Sequence, residues 1–351
     1  MPDLYNVSNW NPQPWYNTGG TRAKKYLQAP DGSYYYFKRS QLKPGKDYKF
    51  EFWSEIIASE VGELLEFNVL RYDIAIDDQI MGCISQSMID SDKEELIEGI
   101  KYLQAFDYTF NPENVKQRYL YNFHLIEEAL SGFGLDNFIN TIIEIIIFDS
   151  IIGNSDRHQE NWAFINDYNI LSKNFRRIET LVKEKGFEQL PSSMKEEFRD
   201  FIDPEKKELT KEGNAIKLLL TTTKSAAPIY DNGSSLGREL LDEKISRMLG
   251  DPAELHAYIN KGLSEIHWEN KKLDHFTLIK QILDTSHREI VINVIRRVIS
   301  LFDGTKIAAI VNEIDILVPE HLFHYRLPKN RKQLIIKMII LRVARLEELI
   351  K

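Results

Sequence analysis

Apolar residues recur at helical spacing along most of the chain, and the segments that break this rhythm cluster near its start. Between Lys49 and Leu65, the positions Phe52, Trp53, Ile56, Ile57, Val61, Leu64 and Leu65 follow a 3.6-residue period and predict a helix. Ahead of it, Tyr34-Tyr35-Tyr36-Phe37-Lys38 follows an Asp31-Gly32 turn and has the aromatic content of a strand. Residues 67–75 and 79–87 predict two further strands, and 88–92 a polar turn. From Lys93 through Glu128 the pattern is mostly helical. Asn137–Ile152 predicts one long apolar helix, capped by Asp136 and ended at Gly153-Asn154. The short apolar segment Trp162–Phe164 reads as a strand. Every segment from Arg238 to Lys351 again has helical period, and 332–351 carries Leu334, Ile335, Met338, Ile339, Leu341 and Leu346 on its apolar positions. Residues 1–16 have no period but hold two tryptophans, which predicts a lead-in segment docked by its aromatics.

One stretch resists this simple succession. Residues 166–224 form a link far longer than an ordinary loop. Two helices are expected in it, Asn174–Gly186 and Ser193–Asp203, the second opening on the capping pair Ser193 and Glu196. Phe175, Ile178, Leu181, Val182 and Phe187 predict packing, so the link reads as an inserted subdomain. It is either a partner or substrate surface or a passive decoration.

Composition narrows the class. With 351 residues, 43% hydrophobic and 28% charged, the chain can bury the core of a two-lobed soluble protein. A net charge of −8 argues against nucleic acid as a direct partner. The single cysteine, Cys83, cannot form an intrachain disulfide, which suits a reducing compartment. No signal pattern opens the chain, and its apolar runs are too short and too charged to span a bilayer, so a cytoplasmic protein without a membrane partner is expected. The scattered histidines show no zinc spacing.

The candidate chemistry lies in Ile151–Phe164, where Asp156, Arg157, His158 and Asn161 follow the apolar helix. A kinase catalytic loop needs a carboxylate for the attacking hydroxyl and, five residues on, an Asn that reaches a magnesium ion on the ATP phosphates. The spacing alone is also met by chance in polar loops. Downstream, Ala227-Pro228-Ile229-Tyr230 ends in Asp231-Asn232-Gly233, the form of a second metal-binding Asp. Arg157 can neutralise phosphate or pair with nearby carboxylates. His158 is read as a brace for the loop and not as the base. Lys38 ends an aromatic strand, either as a phosphate-binding lysine or as an edge residue kept for solubility. Gly19-Gly20, flanked by Thr18, Thr21 and Lys24, is either a phosphate-approaching loop or a plain hairpin turn.

Together, Asp156-Arg157-His158-x-x-Asn161 and Asp231-x-Gly233 resemble the HipA-like serine/threonine kinases, the kinase toxins of bacterial toxin–antitoxin modules. Ser234-Ser235-Leu236-Gly237 favours these over the phosphatidylinositol kinase-related enzymes, which share the first motif. The resemblance implies an α+β, two-lobed protein-kinase-like fold: a small β-rich N-lobe over residues 1–87 and a large, mostly helical C-lobe over 88–351, interrupted by the insertion. It implies ATP and Mg2+, with Asp156 as base, Asn161 and Asp231 as metal ligands, and Lys38 with Glu55 as the phosphate clamp. Glu51 and Glu60 rival Glu55 for that place. Gly20–Lys24 matches the family's nucleotide loop, the backbone of Gln86–Met88 is the expected adenine hinge, and Thr18 or Thr21 is the expected autophosphorylation site. The same resemblance implies a protein substrate, an aminoacyl-tRNA synthetase in known cases, and an antitoxin partner. The family's usual separate N-terminal domain is not expected in this chain. The alternatives are a phosphatidylinositol or small-molecule kinase of the same fold, and a pseudokinase scaffold.

Overall fold

The computed structural model describes residues 1–14, 24–40, 42–43, 46–167 and 223–351. Thr18, Gly19, Gly20, Thr21 and the two expected insertion helices lie outside the described residues. Two bodies emerge from the packing, one made of 1–87, 140–161 and 228–351, the other of 88–139 and 162–227. Residues 1–87 thus stay together, while 88–351 is shared between both.

In the first body a six-stranded sheet is built from β1 (Leu4–Asn6), β2 (Asn11–Pro12), β3 (Lys24–Gln28), β4 (Tyr34–Arg39), β7 (Asp73–Asp77) and β8 (Ile80–Gln86), in the order β1-β7-β8-β4-β3-β2. A separate pair, β5 (Leu42–Lys43) and β6 (Lys46–Asp47), precedes β7 in the chain. The Asp31-Gly32 turn joins β3 to β4, with Gly32 at φ +89, a conformation that favours glycine. The lead-in segment enters the sheet itself: β1 pairs in parallel with β7, Leu4 opposite Ile74. Its Tyr5 and Trp10 pack on Tyr35 over a core of Val7, Leu27, Phe37, Ala75 and Ile84.

Against β4 and β8 lies α1 (Glu51–Leu64), whose first twelve residues, Glu51 through Gly62, are all buried. Its polar positions therefore need internal partners. Glu51 pairs with Arg238, Ser54 Oγ donates to the Ser235 carbonyl (3.1 Å), and Trp53 Nε1 donates to the Tyr325 carbonyl (2.8 Å). The apolar helix after Asp136 begins with a 3-10 turn at Asp136–Phe138, so α4 spans Ile139–Ile152 and Asp136 sits inside the turn, not at the cap of α4. It ends at Gly153, where φ is +67 and an added Cβ would lie 2.7 Å from Arg342 Nη2. Arg342 uses its other nitrogen, Nη1, to donate to the Ser150 carbonyl (3.0 Å), satisfying a helix-end acceptor. A side chain at 153 would displace that cap.

The C-terminal segment is helical as expected, with α5 (Asp242–Gly250), α6 (Pro252–Asn260), α7 (His275–Leu283), α8 (Arg288–Leu301), α9 (Gly304–Glu313) and α10 (Lys329–Leu349). Leu334, Ile335, Met338, Ile339 and Leu346 of α10 are buried. Among the described residues, no helix is long and apolar enough to cross a membrane.

The second body corrects one expectation. The chain after Lys93 begins as a strand, β9 (Glu94–Glu98), before α2 (Gly99–Phe106) and α3 (Phe123–Gly132). Three glutamates in five residues hide the strand, yet its backbone pairs antiparallel with β10 (Ala163–Asp167), Ile97 opposite Phe164. β11 (Thr223–Ala226) completes this sheet, with Phe164 opposite Ala226. The long link therefore departs from and returns to a hairpin stem. In the first body, the expected strand over 67–75 begins only at Asp73. The preceding backbone is committed elsewhere: Leu70 N–H donates to the Ile229 carbonyl (2.9 Å) and Ile229 N–H to the Asn68 carbonyl (2.7 Å).

Acid sensitivity follows from the packing of α7. His275 is buried, neither ring nitrogen has a hydrogen-bond partner among the described residues, and burial with the nearby Arg342 and Lys272 charges pushes its pKa down to about 3. The unfolded chain binds a proton near the ordinary value of about 6.5 that the folded chain refuses. Its contribution is thus fully present above about pH 6.5 and is lost as pH falls toward 3, at up to roughly 1.4 kcal/mol per pH unit. Urea unfolding between pH 7 and 4.5 should show this slope, and His275→Gln should flatten it. An unchanged slope in the variant excludes His275 as its source.

Candidate active site

Five segments of the first body converge on one cluster: β4, α1, the approach to β7, the loop after α4, and the turn at 231–235. Each is fixed by its neighbours before any side chain is considered. The parallel bridge of Val69 with Ile229 sets residue 231 beside residue 72. Asp231 itself has φ +57, a left-handed conformation that Asp tolerates better than most side chains.

Lys38 sits at the centre. Its ammonium lies 3.2 Å from Glu55 Oε1, 3.1 Å from Asp231 Oδ1 and 3.1 Å from the Tyr72 hydroxyl. Burial opposes its charge, yet Asp231 and Glu55 more than offset this and hold its pKa well above the ordinary value. Glu55 is thereby distinguished from its two rivals: Glu51 faces Arg238, and Glu60 lies 2.8 Å from the Met1 amino group. Glu55 also works in two directions, since its Oε2 accepts the Asn232 N–H at 2.7 Å.

Arg157 organises the loop. It is 1% exposed, and its five N–H groups are all engaged. Nε and Nη2 grip Asp149 of α4 at 3.0 and 2.8 Å. Nη1 donates to the carbonyls of Asn161 (2.8 Å) and Tyr230 (2.6 Å), and Nη2 also donates to Asn232 Oδ1 (2.6 Å). Burial pushes the Asp149 carboxyl up, against the pull of Arg157, so this pair depends on its geometry being complete. Of the two roles open to Arg157, the carboxylate pairing is the one the structure displays. His158, half-exposed, accepts the Glu160 backbone N–H at Nδ1 (3.4 Å), and the same nitrogen lies 3.8 Å from Glu160 Oε2.

Around this brace the remaining candidates fall into place. Asp156 Oδ2 accepts from Ser234 Oγ at 2.9 Å. Asn161 Nδ2 donates to the Asp156 carbonyl at 2.6 Å, which commits the amide nitrogen to the loop and leaves Oδ1 as the atom that could bind a cation. Lys24, the first residue of β3, stands opposite Lys38 in the ladder. Gln86 closes β8 opposite Tyr35, and the next N–H, that of Ser87, already donates to the Tyr34 carbonyl at 2.8 Å. Met88 belongs to the second body. Sequence reasoning missed Tyr72, Asp149, Asn232 and Ser234. Asp149 carried a signal, being one of two carboxylates in a mostly apolar helix, the other being Glu144, which pairs with Arg297; Tyr72 carried none.

Replacing Arg157 by Lys keeps the charge but supplies three donors where five are in use. Breaking so buried an arrangement should cost about 3–5 kcal/mol in urea unfolding. A loss below about 1 kcal/mol would show that the loop is held by something else.

No family model matches the sequence, and no curated protein matches it. Solved structures do. The chain is similar to the proinflammatory kinase CtkA of Helicobacter pylori, with a TM-score of 0.69 and 16% identity over 99% of this chain and 96% of that one. A chain of the Shewanella oneidensis MR-1 toxin–antitoxin complex of HipA, HipB and operator DNA aligns with a TM-score of 0.41 and 9% identity, over 97% of this chain and 67% of that one. The chain has the fold of the H. pylori kinase.

Proposed function

We propose that this protein is an ATP-dependent kinase that transfers the γ-phosphoryl group to a serine or threonine hydroxyl of a protein. The observation that carries the reading is the joining of Lys38, Glu55 and Asp231 within about 3.2 Å, beside a loop that presents Asp156 and Asn161. A pseudokinase scaffold has no need of this full set.

The donor set suits magnesium. Asn161 offers an amide oxygen and Asp231 a carboxylate, both hard oxygen ligands. Among the described residues no group of three or more His, Cys, Asp or Glu could cage a metal. Magnesium in such sites is held by one or two protein groups and completed by phosphate oxygens. Held by these residues, magnesium would supply charge neutralisation to the phosphates of the substrate ATP.

The chain's own groups do the rest. Lys38, steered by Glu55, donates to phosphate oxygens. Asp156 orients the acceptor hydroxyl and takes its proton as the oxygen attacks the γ-phosphorus. The bond from that phosphorus to the β–γ bridging oxygen breaks, and ADP leaves. Arg157 contributes by holding the loop and the 230–232 turn in one register, so little reorganisation remains at the moment of transfer. The motifs around Asp156 and Asp231 extend the reading to a toxin kinase with an antitoxin partner, tested by whether expression arrests growth and a protein encoded alongside it restores growth.

Asp156→Asn should fold as the parent does and lower phosphate transfer to protein by about 10²- to 10⁴-fold, the usual range for a general base. Radiolabelled ATP with a cell lysate measures this. Label in lipid or sugar and not in protein would move the acceptor to another class. Nucleotide binding is checked separately by unfolding. Magnesium-ATP at about a hundred times its dissociation constant should stabilise the fold by roughly 2.7 kcal/mol. Asp231→Ala should remove the magnesium-dependent part of that gain.

A further inference from the structure

We propose that Tyr72 is a positioning residue for the nucleotide phosphates, acting through Lys38: with Glu55 it holds two of the three ammonium N–H groups and aims the third. The inference rests on the ATP reading above and adds to it the device that orients the lysine.

A lysine ammonium has three donors and no acceptor. In this structure all three have oxygen partners, Glu55, Asp231 and Tyr72, at 3.1–3.2 Å. Lys38 therefore cannot give an N–H to a phosphate until one partner withdraws. The three partners are unequal. The Glu55 side chain is 2% exposed and tied by its second oxygen to the Asn232 N–H, and Tyr72 is 1% exposed. The Asp231 side chain is 22% exposed and is the carboxylate offered to a cation. Asp231 is thus the partner that leaves, drawn from the ammonium to the metal. Two N–H groups remain held, and tetrahedral geometry then directs the third along the vacated direction.

Tyr72 is built for this. Its backbone N–H donates to Ser59 Oγ at 3.1 Å, and Ser59 lies one turn beyond Glu55 on α1. Both permanent partners of Lys38 are accordingly anchored to the same helix. The lysine lies 5.1 Å from the Tyr72 ring centroid, so the ring face adds a cation–π contact. From the other side, a Cβ at Gly82 would stand 2.2 Å from the Lys38 carbonyl oxygen, which shows how closely β8 confines the lysine backbone. A phenol also has an advantage over a third carboxylate. A neutral hydroxyl accepts the N–H without adding a negative charge that would compete with phosphate for the ammonium.

The test is Tyr72→Phe, which keeps the ring and its packing and removes only the oxygen. Isothermal titration would give dissociation constants for magnesium-ATP, magnesium-ADP and adenosine, with thermal unfolding to confirm the fold. The variant should bind ATP and ADP about tenfold more weakly and adenosine within twofold of the parent. In a Lys38→Ala background the same substitution should leave the ATP constant unchanged. Nucleotide affinity within twofold of the parent, or an equal loss for adenosine, overturns the role of Tyr72 while the ATP reading stands. A parent protein that binds no magnesium-ATP overturns both.

Discussion

The buried guanidinium of Arg157 is the constraint on which the site depends. A charge so deeply placed is tolerable only if every donor is met, and here the partners come from three parts of the chain: Asp149 of α4, the carbonyl of Asn161, and the Tyr230-Asn232 turn. The arrangement is satisfied only when all three stand in their native places. A buried ion pair adds little net stability against an apolar equivalent, but it punishes misassembly severely. Arg157 therefore acts as a check on geometry, and the catalytic-loop candidates inherit their positions from it.

A second centre, Lys38, is coupled to the first through two adjacent residues. Asp231 faces Lys38, while the neighbouring Asn232 presents its side-chain oxygen to Arg157 and its N–H to Glu55. Displacing the turn at 231–232 would disturb both centres together. The helix α1 makes this possible because it is buried around its whole circumference over 51–62. A helix half in solvent could leave Glu55 hydrated and indifferent, whereas a buried carboxylate must choose partners.

Much of this was legible in the sequence, for reasons that differ by residue. Asp156, Asn161 and Asp231 stand in short motifs whose spacing matches what a kinase site would require. Lys38 and Glu55 were legible because an aromatic strand and an apolar helix place them at predictable points. The preference for Glu55 over Glu51 and Glu60 rested on the family resemblance alone, since all three occupy the same helix and only the tertiary partners, Arg238 and the Met1 amine, separate them physically. β9 escaped because Glu94, Glu95 and Glu98 conceal a backbone pairing that depends on β10, more than sixty residues away. Tyr72 escaped because a tyrosine before a strand looks like any core aromatic until its hydroxyl is seen on the lysine.

The two centres also differ in what they are free to do. Arg157 bonds chiefly to backbone carbonyls and to one buried carboxylate, partners that stay put while the fold persists. Lys38 holds one partner, Asp231, that is partly exposed and that the proposed kinase reading also assigns to a metal ion. A site that must accept a highly charged substrate cannot be rigid in every charge contact, because its cations would then already be spent on its own anions. It also cannot be loose in every contact, because transfer depends on alignment. In the proposed kinase reading, confining exchange to the Lys38–Asp231 contact, and fixing all else through Arg157 and Glu55, meets both demands with the residues present.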